Sequence, residues 1–412
     1  MFAAPRKSVR RSAIEAWNNV SRPARPILRE LLIDGPRTRT ALARSLGLST
    51  GSLTRLTKPL VHAGLLVERG TVHDPVNGRP TRPLDIVADD YHFLGVKLTA
   101  DRLYAVVTDL RARIVAEAEE PLPDTSPRAV CALIRRVKDR LARTAPPPAA
   151  AGITFGGSAV PPGACGAGSG TGYDAPFLGW RGVPLHAHLR EAMDIPCVAG
   201  NDVAALAHSQ HWFGAARGLD AFALVTVGAG IGYALFLHGR MVTVSEDDMR
   251  EFAHHVLDPG GPLCPAGHRG CLSAYLATDC VLAAAATGLR RPATLEEIVR
   301  LAGEGDPACR HLTRQAGWAV GAVIATIANL TTVRTVIVTG ESVPLARAAS
   351  EDVGRGIAHR RLHGRASLDH TLLPAPFTQW ARGGAVQAIR AFVLNEPDSG
   401  AAPTGRQSAT GR

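Results

Sequence analysis

The sequence predicts an α/β protein: a small winged-helix head on a body of two α/β lobes. Three observations lead there. Positive charge is concentrated at one end. Residues 1–85 carry 15 Lys and Arg against 6 Asp and Glu, while the whole 412-residue chain has a net charge of only +10. The same end holds three short amphipathic helical segments followed by a hairpin signal. Beyond it a β-β-β-α-β-α succession occurs twice, a pattern that builds two α/β layers with a cleft between them.

Composition sets the limits. A hydrophobic content of 46% and a charged content of 20% are globular values, so the chain can bury the cores of two or three domains. No apolar run reaches the ~18 residues needed to cross a bilayer. The basic start, MFAAPRKSVRRSAIEAW, lacks the apolar core of a secretory signal. Seven scattered cysteines argue against a disulfide framework. A cytoplasmic protein that does not meet a membrane is expected.

Residues 1–22 read as a basic, flexible N-terminus and 23–88 as the head. Ile27, Leu28, Leu31 and Leu32 form one apolar helix face, and Gly35-Pro36 ends it. Leu42, Ala43 and Leu46 repeat at helical spacing, with Gly47 at the C′ position. Ser49 is a natural N-cap for a third helix that turns Leu53, Leu56, Leu60 and Val61 inward. Ser49, Thr50, Ser52, Thr54, Arg55 and Lys58 supply its polar side. A tight turn between two helices, the second polar and basic outside, is a helix-turn-helix. Asn77-Gly78 then signals a hairpin, which makes the unit a winged helix. Arg79 and Arg82 fall at or near the wing tip, where they can reach phosphates or a narrow minor groove. Double-stranded DNA is the expected partner, against the blander reading of a helical protein-binding domain.

The body begins near residue 89. Three strands end near Leu98, Leu110 and Glu120, and a helix spans Pro127–Arg143. AAGITFGG and IPCVAGND read as strands, and Val183–Met193 and Val203–Phe213 as helices. AFALVTVGAGIGYALFLHGRMV is a hairpin of apolar strands. Helices are expected around 274–287 and 307–330, a strand at TVIVTG, and a last helix from Gly383. The polar stretch 396–412 is expected to be disordered.

At this point the chain resembles the ROK family, named for repressors, open reading frames and sugar kinases. The marks are Gly78-Arg79-Pro80 in the head and, in the body, FLGW (177–180), NDVAALA (201–207), HWFGAARG (211–218), VGAGIG (227–232), EFAH (251–254) and GGPLC…GCL (260–272). The resemblance implies a two-lobed, actin-like ATPase body of ribonuclease H-like type. It places lobe 1 at 89–200, with the helix 383–395 returning to it, and lobe 2 at 201–382, with a zinc-knuckle-like loop at 251–273. It also implies a homodimer or higher homo-oligomer, which fits a pseudo-palindromic operator.

The departures from the family are informative. Family kinases carry Asp-x-Gly-Gly-Thr at the first strand turn, where this chain has Lys97-Leu98-Thr99-Ala100-Asp101. The glycines that let backbone amides approach phosphate are gone. The second phosphate loop survives in outline as Gly228-Ala229-Gly230. No ATP turnover is expected, and the chain reads as a non-enzyme.

The ligand positions are partly kept. Asp202 matches the residue that takes the sugar hydroxyl proton in the kinases, and Asn201 precedes it. Glu251 and His254 match the family's Gly-Glu-x-Gly-His, with Arg250 and Ala253 in place of its glycines. Phe177 replaces an asparagine, and its ring could stack on the apolar face of a ligand. Ser273 replaces a glutamate. A sugar or sugar phosphate between the lobes is the expected effector. The alternative is that Asp202, Glu251 and His254 only satisfy one another in a closed cleft.

The family's zinc pattern, His-x9-Cys-x-Cys-x4-Cys, reads His254, Cys264, Ala266, Cys271 here. Zinc in a structural site takes four ligands. His268, two residues beyond Ala266, is the candidate for the fourth; His255 is adjacent but points away. A loop that keeps its cysteines without metal remains the alternative. The expectation is therefore a DNA-binding repressor of sugar-metabolism or sugar-uptake genes, modulated by a sugar. A sugar kinase with an altered phosphate loop and a ligand-independent regulator are the alternatives.

Overall fold

The computed structural model describes residues 14, 16–73, 80–160, 171–242, 251–362 and 367–396. The chain divides into two compact units. One comprises Met1–Arg217 with Phe377–Arg412, the other Gly218–Pro376.

The head opens the first unit with α1 (Arg25–Asp34), α2 (Arg39–Ser45) and α3 (Thr50–His62). The predicted breaks occur where the chemistry put them. Gly35 ends α1 at φ +86°, Gly47 sits in the turn at φ +64°, and Ser49 Oγ caps α3 by accepting from Ser52 N at 3.1 Å. The wing follows as β1 (Leu66–Glu68), β2 (Val72–His73), β3 (Pro80–Thr81) and β4 (Leu84–Ile86), with β1 antiparallel to β4 and β2 to β3. Its predicted tip, with Asn77, Gly78 and Arg79, lies outside the described residues.

The rest of the first unit carries β5 (Phe93–Leu98), β6 (Arg102–Thr108), β7 (Ile114–Pro121), α4 (Pro127–Leu141), β8 (Ala150–Phe155), β9 (Ser158–Val160), β10 (Gly172–Ala175), β11 (Trp180–Val183), α5 (Leu185–Ala192), β12 (Cys197–Asn201) and α6 (Asp202–Phe213). Its main sheet has the order β12-β8-β5-β6-β7. β5 and β8 are buried along their whole length, whereas β7 alternates half-buried and exposed residues, as an edge strand open on one face should. The small antiparallel sheet β11-β10-β9 was not anticipated, because its strands are too short to show a period.

The second unit contains β13 (Phe222–Val227), β14 (Ile231–Leu237), β15 (Arg240–Met241), α7 (Leu272–Leu276), α8 (Thr278–Leu289), α9 (Leu295–Glu304), α10 (Pro307–Thr331), β16 (Thr335–Thr339), α11 (Val343–Ala348), α12 (Ser350–Arg360) and β17 (Asp369–Leu373). Its sheet order is β15-β14-β13-β16-β17. Each unit thus has an antiparallel three-strand meander extended by two parallel strands on the side of its first strand. The single helix expected at 274–287 is two, because Ala277 is extended (ψ 133°).

The chain then returns to the first unit as α13 (Phe377–Phe392). The sequence placed its start at Gly383, but Gly383 and Gly384 do not mark its beginning. They are interior to the helix and serve close packing. A Cβ on Gly95 would lie 1.9 Å from Ala381 O, and one on Gly152 would lie 1.9 Å from Gly384 O, so helix and sheet backbones touch. The division after Arg217 also differs from the sequence boundary at 200, since it keeps α6 with the first unit.

The head shares one hydrophobic core with the rest of its unit. Trp17, Leu28, Leu31 and Leu60 belong to the same buried cluster as Phe93, Trp212 and Ile389. Arg29 of α1 lies 5.9 Å from the Trp212 ring centroid at the end of α6, and Arg111 Nη2 donates to Leu31 O at 3.3 Å. Among the described residues, no helix is long and apolar enough to cross a membrane.

Candidate functional site

The sequence-predicted residues fall into three places. In the head, α3 buries Leu53, Thr57 and Leu60 and exposes Thr50, Thr54, Arg55 and Lys58. Arg55 and Lys58 make no ion pair among the described residues. Ser49 and Ser52 are partly committed to the helix start, with their hydroxyls 3.0 Å apart. Thr54 Oγ1 donates to Thr50 O at 2.9 Å. Arg82 is exposed just past β3. Arg79 lies outside the described residues.

The second place is the end of β12 and the start of α6. Asn201 is the N-cap of α6: its Oδ1 accepts from Ala204 N at 3.0 Å, and its Nδ2 donates to Gly157 O at 2.9 Å. Asp202 follows and is 5% exposed. Its Oδ1 accepts from Val203 N at 2.8 Å, and its Oδ2 accepts a charge-assisted bond from Lys97 Nζ. Lys97 is itself buried, with its ammonium 5.1 Å from the Trp380 ring centroid. Phe177 is 53% exposed. It shares Gly156 with Asp202: a Cβ there would be 3.3 Å from the Phe177 ring and 3.8 Å from Asp202 Oδ2. An open aromatic face, a buried carboxylate and a buried ammonium therefore converge. Sequence reasoning noted Lys97 as a lost aspartate but missed its pairing with Asp202, and it missed Trp380. The one signal was a lysine near the end of an otherwise apolar strand, FLGVKL.

This arrangement changes what Asp202 can do. A base must take a proton with an oxygen that is free to receive it. Here one oxygen is tied to an ammonium and the other to a peptide N–H. The pair suits a neutral hydroxyl better, donating to Asp202 and accepting from Lys97.

The third place lies in the second unit, where Glu251 is exposed and His254 half-buried. His254 Nδ1 lies 3.7 Å from both Cys264 Sγ and Cys271 Sγ. The ligand atoms of these three residues all lie within 4.8 Å of one another. Around a tetrahedral zinc, nitrogen and sulfur ligands sit ~3.6 Å apart, given bonds of about 2.0–2.1 and 2.3 Å, so the spacing fits that ion. Cys264 O accepts from Gly267 N, and Cys264 N donates to His268 O, both at 2.9 Å. This turn brings His268 Nδ1 to 3.7 Å from Cys264 Sγ, though His268 is not within the three-residue cluster. Burial pushes the Cys271 thiol up and the His254 imidazole down, with His268 adding to the latter. Cys280, which the sequence reading left unused, packs against the same cysteines. The five predicted ligand residues are thus split: Phe177, Asn201 and Asp202 in the first unit, Glu251 and His254 in the second.

A sequence profile described as the ROK family matches residues 93–381. The DNA-binding transcriptional dual regulator NagC of Escherichia coli is 26% identical over 327 residues, covering 75% of this chain and 78% of that protein. A solved ROK family transcriptional regulator, described as a homologue of the E. coli Mlc protein, superposes with a TM-score of 0.72 at 20% identity, covering 93% of this chain and 98% of that one. A ROK hexokinase from Thermus thermophilus superposes with a TM-score of 0.58 at 26% identity, over 72% of this chain and 98% of its own.

Proposed function

Because the chain belongs to the ROK family, we propose that it is a sugar-responsive DNA-binding transcriptional repressor rather than one of the family's kinases. The observation that carries this is the Lys97–Asp202 pair. It leaves the family's proton-accepting position filled in a chain that also carries a winged-helix head. The head reads duplex DNA through α3 and the wing, with Arg55 and Lys58 at base edges or phosphates, helped by Thr50, Ser52, Thr54, Arg79 and Arg82. A cytoplasmic homodimer matches a pseudo-palindromic operator.

The effector is a sugar or sugar phosphate. Phe177 stacks on its apolar face, and Lys97 and Asp202 together hold one hydroxyl. Asn201 positions that end of the site, and Glu251 and His254, carried by the second unit, are further candidates for binding sugar hydroxyls. α6 begins at Asp202 and carries Trp212 about 15 Å further on, beneath the head's Arg29. One rigid helix therefore joins the ligand residue to the head.

His254, Cys264 and Cys271, with His268 as fourth ligand, would hold a structural zinc that fixes the loop and the His254 ring. Elemental analysis should find about one zinc per chain, lost in Cys271→Ser. Chelator-naive protein without metal would leave the cysteines as a plain buried cluster.

The deciding experiment is a pair of titrations with a selected operator, with and without members of a hexose and pentose panel. Wild type should bind the operator and respond to one sugar. Asp202→Asn should bind the operator and respond to none. Arg55→Ala should weaken operator binding by about 1–3 kcal/mol. Sugar-dependent ATP consumption by the wild type would instead establish the kinase reading.

A further inference from the structure

The second unit contains a glycine turn that the repressor reading does not use. It joins β13 to β14 as Gly228-Ala229-Gly230. Gly228 is buried, while Ala229 and Gly230 are exposed, so the turn opens to solvent. Ala229 N donates to Glu341 Oε1 at 2.8 Å. A Cβ on Gly228 would lie 2.1 Å from Glu341 Cδ and 2.2 and 2.4 Å from its two oxygens. The carboxylate therefore rests directly on the face that Gly228 leaves bare.

The chain delivers Glu341 there deliberately. Gly340 has φ +115°, and a Cβ on it would strike Val227 O at 2.3 Å, so only glycine allows β16 to turn this closely against β13. Ser342 N donates to Val227 O at 3.1 Å, and Thr278 N to Gly228 O at 2.9 Å. The Thr278 and Ser342 hydroxyls, 3.2 Å apart, line the same corner. Among the described residues, no Lys, Arg or His forms an ion pair with Glu341. Its carboxylate is held by the backbone of the turn, the way glycine turns hold small anions.

We propose that the Gly228–Gly230 turn is an anion site whose resident ligand is Glu341 itself, so that the phosphate groups this site would otherwise take are shut out. The ligand class is a phosphate or diphosphate group, free or at the end of a nucleotide. The regulator reading stands or falls separately, since it is carried by the Lys97–Asp202 pair and the head.

The test is calorimetric titration of the full-length protein with inorganic pyrophosphate and, separately, with ADP. Wild type should show no binding up to about 1 mM, and Glu341→Ala should bind pyrophosphate at least about tenfold more tightly. Glu341→Ser is a second truncation if alanine lowers stability. Adding Gly228→Val to either truncation refills the vacated space and should abolish the gain. ADP binding more tightly than pyrophosphate would extend the site to a nucleotide, and equal affinities would confine it to the phosphate group; both support the proposal. A folded truncation that binds no better than wild type overturns it. So does a double variant that binds as well as the single one.

Discussion

The two units repeat one strand order, yet one fills a polar corner with an ion pair and the other with a single carboxylate. In the first, the Lys97 ammonium meets Asp202, and both side chains are under a tenth exposed. In the second, the Glu341 carboxylate caps uncharged backbone and stays half-buried. The first pairs two desolvated ions, each of which makes the other tolerable. The second is a single charge-assisted hydrogen bond at the edge of solvent. A buried pair is part of the core, whereas a half-buried carboxylate at the edge of solvent can be withdrawn.

The sharpest way to break this comparison is Lys97→Ala, which leaves Asp202 buried without its partner. Its unfolding free energy in urea should fall by about 3–5 kcal/mol. The double substitution Lys97→Met with Asp202→Asn should recover most of that loss. If Lys97→Ala is as mild as a surface change, the ion pair is not the element that distinguishes the first unit.

The glycines sharpen the same contrast. Gly95→Ala drives a methyl into the backbone of α13 and should cost about 3 kcal/mol by the same measurement. Gly228→Ala meets only the movable end of Glu341 and should cost nearer ~1 kcal/mol. Similar losses at the two positions would erase the distinction between rigid and yielding neighbours.

A third charge effect belongs to the first unit. Burial, then the charges of Arg390, His211 and Arg29, hold His208 well below its ordinary 6.5. Its folded pKa is depressed, so the neutral form is the native one. The unfolded chain takes up the proton first as pH falls below 6.5, and stability should drop by about 1.4 kcal/mol per pH unit from this group. Urea midpoints between pH 7 and pH 5 should fall less steeply in His208→Leu. The smallest expected effect is Glu341→Ala, with about 0.5–1.5 kcal/mol lost from one hydrogen bond at a half-buried turn.

Much of this was legible along the chain. Gly35, Gly47 and Ser49 marked the helix ends of the head, because caps and left-handed turns depend on neighbouring residues alone. The apolar runs FLGVKL, AAGITF and FALVTV marked buried strands, while the family's pattern marked His254, Cys264 and Cys271 as candidate metal ligands. Local chemistry determined the helix ends and strands, and the family's motifs carried the rest of the architecture. The start set at Gly383 fell inside the helix, since a glycine at a helix end and one that lets a helix touch a sheet look alike in sequence. Only the tertiary structure decided between them. It alone also paired Lys97 with Asp202, 105 residues away, and set Glu341 on an amide 112 residues away. Contacts at that separation arise from how strands from distant parts of the chain come to lie side by side, and no local pattern encodes them.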